Sequence, residues 1–137
     1  MDKKVSIILS TFNEATVIED TINKILKNLD SVEIILVDDN STDGTFEIVN
    51  NMHNPNVKTY SRKTRGLASA FLLGLINSSS NTVGWLDSNM GSLAYKLPEM
   101  LSKLNTHDIV LLSRYVDGGK DLRSKLRVTT SQMINFF

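Results

Sequence analysis

Apolar positions along the chain fall into short blocks of two kinds, and the two kinds alternate. Residues 5–10 and 32–37 are nearly continuous apolar runs rich in β-branched side chains, the pattern of strands covered on both faces. Between them Ile18, Ile22, Ile25 and Leu29 recur at helical spacing, behind Asn13, a residue suited to cap such a helix. The alternation continues with a short helix over 45–51, a strand over 57–60 and a helix over 66–77. That last helix is apolar on most faces and is predicted to be deeply buried. A strand is predicted over 82–86, and Trp85 within it is read as core. Leu97, Met100, Leu101 and Leu104 then make one helical stripe with Pro98 in its first turn. Residues 109–112 are predicted to close the sheet, and a last helix to run over 126–137. Strands and helices in this order specify an α/β fold with a mainly parallel sheet, uninterrupted by repeats or linkers.

Composition narrows the picture. At 137 residues, 41% of them hydrophobic and 22% charged, the chain reads as one soluble domain, residues 1–137, with enough apolar material for a core. Its 15 basic residues balance 15 acidic ones, so bulk charge gives no reason to expect a nucleic-acid polymer or an anionic membrane as partner. The absence of cysteine excludes disulfides and thiolate metal sites. The longest apolar stretch, 67–76, is too short to span a bilayer, and residues 1–4 run directly into a strand rather than a signal peptide. A cytoplasmic protein is expected.

Candidate chemistry concentrates at the ends of the predicted strands. The segment Val37-Asp38-Asp39-Asn40-Ser41-Thr42-Asp43-Gly44-Thr45 follows the second strand and hands it to a helix. Residues 40–44 are read as turn and cap. Asp38 and Asp39 are read differently, because adjacent carboxylates repel each other unless a ligand, a metal or donor groups compensate them. Three more strand ends carry polar groups: Thr11-Phe12-Asn13-Glu14, Asp87-Ser88-Asn89 and Ser113-Arg114-Tyr115. A parallel sheet brings all its carboxyl ends to one rim, so these segments are expected to share a crevice. His53 and His107 stand alone in polar surroundings and are read as surface residues.

These residues resemble the family 2 glycosyltransferases, and within them the dolichyl-phosphate mannosyltransferase-like and polyprenyl-phosphate glycosyltransferase branch. Ser10-Thr11-Phe12-Asn13-Glu14 is similar to that branch's opening Pro-Thr-Tyr-Asn-Glu, and residues 37–45 nearly reproduce its Val-Asp-Asp-Asn-Ser-x-Asp-Gly-Thr. Arg65-Gly66-Leu67-Ala68-Ser69-Ala70 and 112–119, with Ser113-Arg114-Tyr115-Val116 inside it, resemble two later motifs. The resemblance implies a GT-A fold, a Rossmann-like three-layer sandwich, and transfer of a sugar from a GDP- or UDP-sugar with inversion. It further implies a nucleotide-sugar pocket lined by Thr11, Asn13, Glu14, Asp38, Asp39, Arg65, Gly66 and Ser88, with Phe12 beside the base. Asp87 and Arg114 would be catalytic, the guanidinium meeting charge that builds on the leaving diphosphate. Mg²⁺ or Mn²⁺ would sit on Asp87 and Asn89.

Two departures qualify what the resemblance implies. The branch has a second acid where this chain has Asn89, and often Gln where it has Gly91, so a weakened metal site is expected. The chain also lacks most of the usual acceptor-side part, which reads as truncation. Arg123 and Arg127 are nevertheless expected to face the phosphate of a lipid-phosphate acceptor, with the apolar end of the last helix lying against a membrane or prenyl chain. If that end is left uncovered, it invites dimerisation. An ionised acceptor phosphate needs no protein base, although Asp117 and Asp121 are weak candidates for one. Two other readings stay open: an inactive nucleotide-sugar-binding module, suggested by Asn89 and Gly91, and a receiver-type phosphoacceptor domain, which fits the order of the acids poorly.

Overall fold

The elements appear in the order that the apolar blocks predict. The computed structural model describes residues 4–113. Strands β1 (Val5–Thr11), β2 (Val32–Asp38), β3 (Val57–Ser61) and β4 (Thr82–Asp87) alternate with helices α1 (Ile18–Asn28), α2 (Thr45–Asn51) and α3 (Leu67–Ile76). A 3-10 helix, Gly91–Lys96, leads into α4 (Leu97–Lys103). The chain divides into two units, residues 1–102 and 103–137. In the first, the strands lie in the order β3-β2-β1-β4, every neighbouring pair parallel. The chain therefore steps outward from β1 to β3 and then returns to the far side of β1, making a topological switch between β1 and β4.

Side-chain alternation on β1 and β2 divides the core into two layers. Val5, Ile7 and Leu9 with Val32, Ile34 and Leu36 face α1, whose Ile18, Ile22 and Ile25 are fully buried against them. Val49 of α2, Leu86 of β4, and Ala94 and Leu97 complete this layer. Each such aliphatic side chain contributes about 2 kcal/mol by leaving water, so α1 is held by its stripe rather than by its ends. Glu19 and Asp20 in its first turn and Lys27 in its last suit the helix dipole. Asn13 is not its cap, contrary to the sequence expectation. The helix opens at Ile18 from a turn in which the Val17 and Ile18 amides donate to the Glu14 carbonyl, each at 3.0 Å.

The opposite layer is thinner, and it overturns the expectation for the third helix. Of α3 only Ala70 and Gly74 are buried, while Leu67, Leu72, Leu75 and Ile76 are exposed, Ile76 at 72%. The two small residues, four apart, form the stripe on which α3 meets the sheet. A Cβ on Gly74 would lie 2.5 Å from Ile8 Cγ2, so the close approach requires glycine. Counting apolar residues located the helix, but the small ones chose its contact face. Trp85 is likewise not core. It is 46% exposed on β4, an edge strand among the described residues, where its ring leans on Phe71 at 5.2 Å and its indole N–H donates to Ser10 Oγ at 3.2 Å.

Of the second unit, residues 103–113 are described. The Thr106 and His107 amides both donate to the Lys103 carbonyl at 3.1 Å, closing the turn that follows α4. Residues 109–112 form no strand, against expectation, and Leu111 is 82% exposed. An apolar run meets the compositional rule for a strand, but a strand exists only where a ladder partner takes its backbone groups. No helix among the described residues is long and apolar enough to cross a membrane. The predicted last helix lies outside the described residues.

At the amino end of the sheet, Glu33 is buried on the α3 side and fully partnered. Its carboxylate accepts from Ser6 Oγ at 2.6 Å, from the Ser79 amide at 2.9 Å and hydroxyl at 3.0 Å, and pairs with Lys58 Nζ at 2.5 Å. Burial alone would raise its pKa, but Lys58, Ser6 and Ser79 together hold it at about 2, below the ordinary 4.5. A carboxylate depressed in this way stabilises the fold above pH 4.5 and loses that contribution as pH falls toward 2. Urea unfolding across this window should show wild-type stability falling by an amount to which Glu33 contributes on the order of 3 kcal/mol. In Glu33→Gln that part of the slope should be absent, and an unchanged slope would contradict the assignment.

Candidate functional site

Register places the strand ends. Thr11 pairs with Asp38, and Ser10 pairs with both Val37 and Asp87, so β1, β2 and β4 finish together on one edge. With strands about 4.8 Å apart, that edge sets Asp38, Thr11 and Asp87 within roughly 10 Å of one another. The Asp39 amide donates to the Thr11 carbonyl at 3.0 Å, carrying the pairing one residue past β2. The Thr11 hydroxyl is buried and without a hydrogen-bond partner.

The turn after β2 is stitched to the loop after β1. The Asn13 amide donates to Ser41 Oγ at 2.9 Å, and Asn13 Oδ1 accepts from the Thr42 amide at 2.9 Å. The Glu14 amide donates to Thr45 Oγ1 and the Ala15 amide to Asp43 Oδ2, both at 2.9 Å. Asp43 also accepts from the Thr45 hydroxyl and amide at the start of α2. The Thr45 hydroxyl above all, then the Ala15 amide, holds its carboxyl below the ordinary range. Asn13 and Asn40 both adopt positive φ, 56° and 62°, which asparagine tolerates. Residues 40–44 thus do what a turn does, as expected.

The paired acids are compensated by donors, and separately. Asp38 is 1% exposed and accepts from the Ser41 amide at 2.9 Å and from the Ser41 hydroxyl. Asp39 pairs with Arg62 Nε through Oδ1 and accepts from the Gly66 amide at 3.0 Å through Oδ2. Gly66 sits at φ 153°, where only glycine is at ease, and opens α3. Sequence reasoning overlooked Arg62. Its signal was faint, a cation just past the end of β3 and three residues before the motif arginine. Arg65 lies instead over the Phe12 ring, its Cζ 3.6 Å from the centroid, a cation–π contact that roofs the loop after β1.

At the end of β4 the Met90 amide donates to the Asp87 carbonyl at 2.9 Å, forming a tight turn that leaves Asp87 and Asn89 exposed. Ser88 is 3% exposed and faces inward, and its carbonyl accepts from Thr21 Oγ1 of α1 at 2.6 Å. Among the described residues no three His, Cys, Asp or Glu side chains converge on a common point. Asp87 and Asn89, exposed side by side in this turn, offer one carboxylate and one amide oxygen. That donor set fits a hard ion shared with phosphate oxygens and water, the usual habit of Mg²⁺. His53 and His107 are exposed, as expected. Arg114, Arg123 and Arg127, with Asp117 and Asp121, lie outside the described residues.

Comparison with known proteins gives the family. The model of glycosyl transferase family 2 matches residues 6–137. The chain belongs to glycosyl transferase family 2. It is 34% identical over 122 residues to a dolichol-phosphate mannosyltransferase of Pyrococcus furiosus, covering 85% of this chain and 35% of that protein. It is 28% identical over 123 residues to an undecaprenyl-phosphate mannosyltransferase of Micrococcus luteus, covering 85% and 51%. Among solved structures it superposes on a mannosyltransferase of Pyrobaculum calidifontis, in complex with GDP-Man and Mn²⁺, with a TM-score of 0.61 and 26% identity. That match covers 71% of this chain and 32% of the other. This family 2 chain therefore has the GT-A fold, and the receiver-type alternative falls away. It spans about a third to a half of the length of these curated relatives.

Within this family 2 chain, Gly91 has a packing reason to be glycine. A Cβ there would lie 2.7 Å from Thr21 Cα and 2.6 Å from Thr21 Oγ1, so the backbone of the 3-10 helix rests directly on α1. Gly91→Gln is expected to destabilise the fold by about 1–3 kcal/mol through overpacking. It should leave Mn²⁺ affinity no higher than in the parent. Urea unfolding and a Mn²⁺ titration check the two halves, and a tighter metal site in this variant would show that position 91 opens onto the site.

Proposed function

We propose that this chain binds a nucleotide diphosphate-sugar at the carboxyl edge of its sheet and forms the donor half of an inverting glycosyltransferase acting on a polyprenyl- or dolichyl-type phosphate. The observation that carries this reading is the shared edge of β1, β2 and β4, which sets Thr11, with its buried, unpartnered hydroxyl, beside Asp38 and Asp87, with Asp39 bonded to the Thr11 carbonyl through its amide. Asp39 has a spare lone pair on each oxygen beyond Arg62 and Gly66, enough to accept from a base or ribose. Phe12 under Arg65 offers a flat cationic face at the same loop. Asn13, Glu14 and Asp38 hold the loop that shapes the pocket, Gly66 steadies Asp39 through its amide, and Ser88 ties the end of β4 to Thr21 through its carbonyl. The names of the relatives support a lipid-phosphate acceptor, and GDP-Man with Mn²⁺ in a similar structure supports a donor-bound cation.

In this reading an acceptor phosphate oxygen, already ionised, attacks the anomeric carbon from the side opposite the diphosphate. The bond from that carbon to the diphosphate oxygen breaks, and its electron pair leaves on the diphosphate. Any fixed cation beside that oxygen stabilises the transition state more than the ground state. Arg114 is assigned this role, with Arg123 and Arg127 holding the acceptor phosphate. Asp87 and Asn89 would hold Mg²⁺ or Mn²⁺, which when bound neutralises diphosphate charge. The second reading, a nucleotide-sugar-binding module without turnover, is favoured specifically by Asn89 in place of an acid and by Gly91 packed on Thr21. Donor hydrolysis measured beside donor binding separates the two.

Asp39→Ala should weaken GDP or UDP binding by about 1.5–3 kcal/mol, the range for a hydrogen bond to a charged group. Calorimetric titration checks this, and unchanged affinity for both nucleotides would remove Asp39 from the pocket. Asn89→Asp adds a carboxylate to a hard-cation site and should make nucleotide binding more dependent on Mn²⁺. Equal Mn²⁺ dependence in parent and variant would place residue 89 outside it.

A further inference from the structure

We propose that Arg62 is a positioning residue that fixes the Asp39 carboxylate for nucleotide recognition without touching the nucleotide, an inference that rests on the nucleotide site proposed above. Three donors of one guanidinium reach three acceptors on two separate segments: Nε to Asp39 Oδ1, Nη1 to Ser69 Oγ at 2.7 Å and Nη2 to the Gly66 carbonyl at 2.5 Å. Its own backbone is anchored as well, since the Arg62 amide donates to the Asp38 carbonyl at 2.9 Å. The Gly66 amide closes the circuit on Asp39 Oδ2 at 3.0 Å, and the Ser69 hydroxyl donates to the Gly66 carbonyl at 2.9 Å. Asp39 is thus held at both oxygens, one by a cation and one by the first peptide of α3.

Burial and chemistry both favour a role in orientation. The Arg62 and Asp39 side chains are only 14% and 13% exposed, so the pair is screened far less than a surface ion pair. A carboxylate on a loop one residue beyond its strand can turn about its side-chain bonds, but one gripped at both oxygens has a fixed plane. Its remaining lone pairs are then aimed before any ligand arrives, which is how preorganisation raises affinity. Only the Arg62 amide joins the sheet, at the Asp38 carbonyl; its side chain belongs neither to the ladder nor to the buried aliphatic layer. The planar fork is what the geometry uses: a lysine at this position has the charge but a single nitrogen, and cannot reach Asp39, Ser69 and Gly66 together.

The test is a double-mutant cycle read by calorimetric titration of the full chain with GDP and with UDP, alongside thermal melts. Arg62→Lys should weaken binding of whichever nucleotide the parent prefers by fivefold or more, with a modest fall in melting temperature. In an Asp39→Ala background the same substitution should change affinity by less than twofold, because Arg62 acts through that carboxylate. Equal losses in both backgrounds would overturn the proposal, as would parent-like affinity in Arg62→Lys. If Arg62→Lys does not fold, Ser69→Ala carries the same cycle, with a smaller loss expected in the parent background and none in Asp39→Ala; additivity there overturns the proposal equally. A parent chain that binds neither nucleotide would refute the nucleotide site itself and the role of Arg62 with it, an outcome distinguished because it is the unsubstituted protein that fails.

Discussion

Parallel pairing of β1 with β2 on one side and β4 on the other is the interaction on which the rest of this structure depends. Parallel strands cannot be joined by tight turns, so each connection must cross over as a helix and deliver its loop to the same edge. That requirement places the helices on the faces and the polar loops at the carboxyl rim. It also draws Thr11, Asp38 and Asp87, far apart in sequence, to adjacent positions in the ladder. The switch in strand order between β1 and β4 opens the rim where two loops diverge, the place where α/β sheets take their ligands.

Holding two neighbouring carboxylates at such a rim is an electrostatic problem that the fold solves with two different devices. Asp38 turns inward and is neutralised by dipoles, the Ser41 amide and hydroxyl, and so becomes part of the turn. Asp39 turns toward α3 and is neutralised by a full charge, Arg62, with the Gly66 amide in support. Separating the two carboxylates onto independent partners removes most of their mutual cost. It also gives them different parts, Asp38 as a structural brace and Asp39 as a group that retains acceptor capacity at the edge. Membership of glycosyl transferase family 2 gives that edge its chemical context.

The two layers flanking the sheet are unequal, and small residues explain why. Against α1 the sheet presents long aliphatic side chains that interdigitate over three turns of helix. Against α3 the contact is carried by Ala70 and Gly74, with Leu73 and Tyr60 packed at its margin. The helix lies close on the sheet but buries little of its own apolar surface, leaving Leu67, Leu72, Leu75 and Ile76 exposed. The same economy of space recurs at Gly91, where the 3-10 helix rests on Thr21. Both glycines are positions where backbone meets its neighbour directly.

Local pattern by itself determined a great deal here. Periodicity located the four strands and helices α2 to α4 to within a residue or two, but it capped α1 at Asn13 rather than Val17 and gave no sign of the 3-10 helix. The α/β class followed from the order of the blocks, because it depends on short-range spacing of apolar residues. The turn character of residues 40–44 was equally legible, since Asn, Ser, Asp and Gly carry their backbone preferences with them. What only the tertiary structure decided were matters of facing and partnership. Which side of α3 meets the sheet depended on Gly74 against Ile8, and whether Trp85 is covered depended on β4 lying at an edge of the described sheet. Residues 109–112 look like a strand in isolation and are none, because a strand is a relation between two segments. Arg62 escaped notice for the same reason: its importance lies in Asp39, Gly66 and Ser69, which reach it through space and not along the chain.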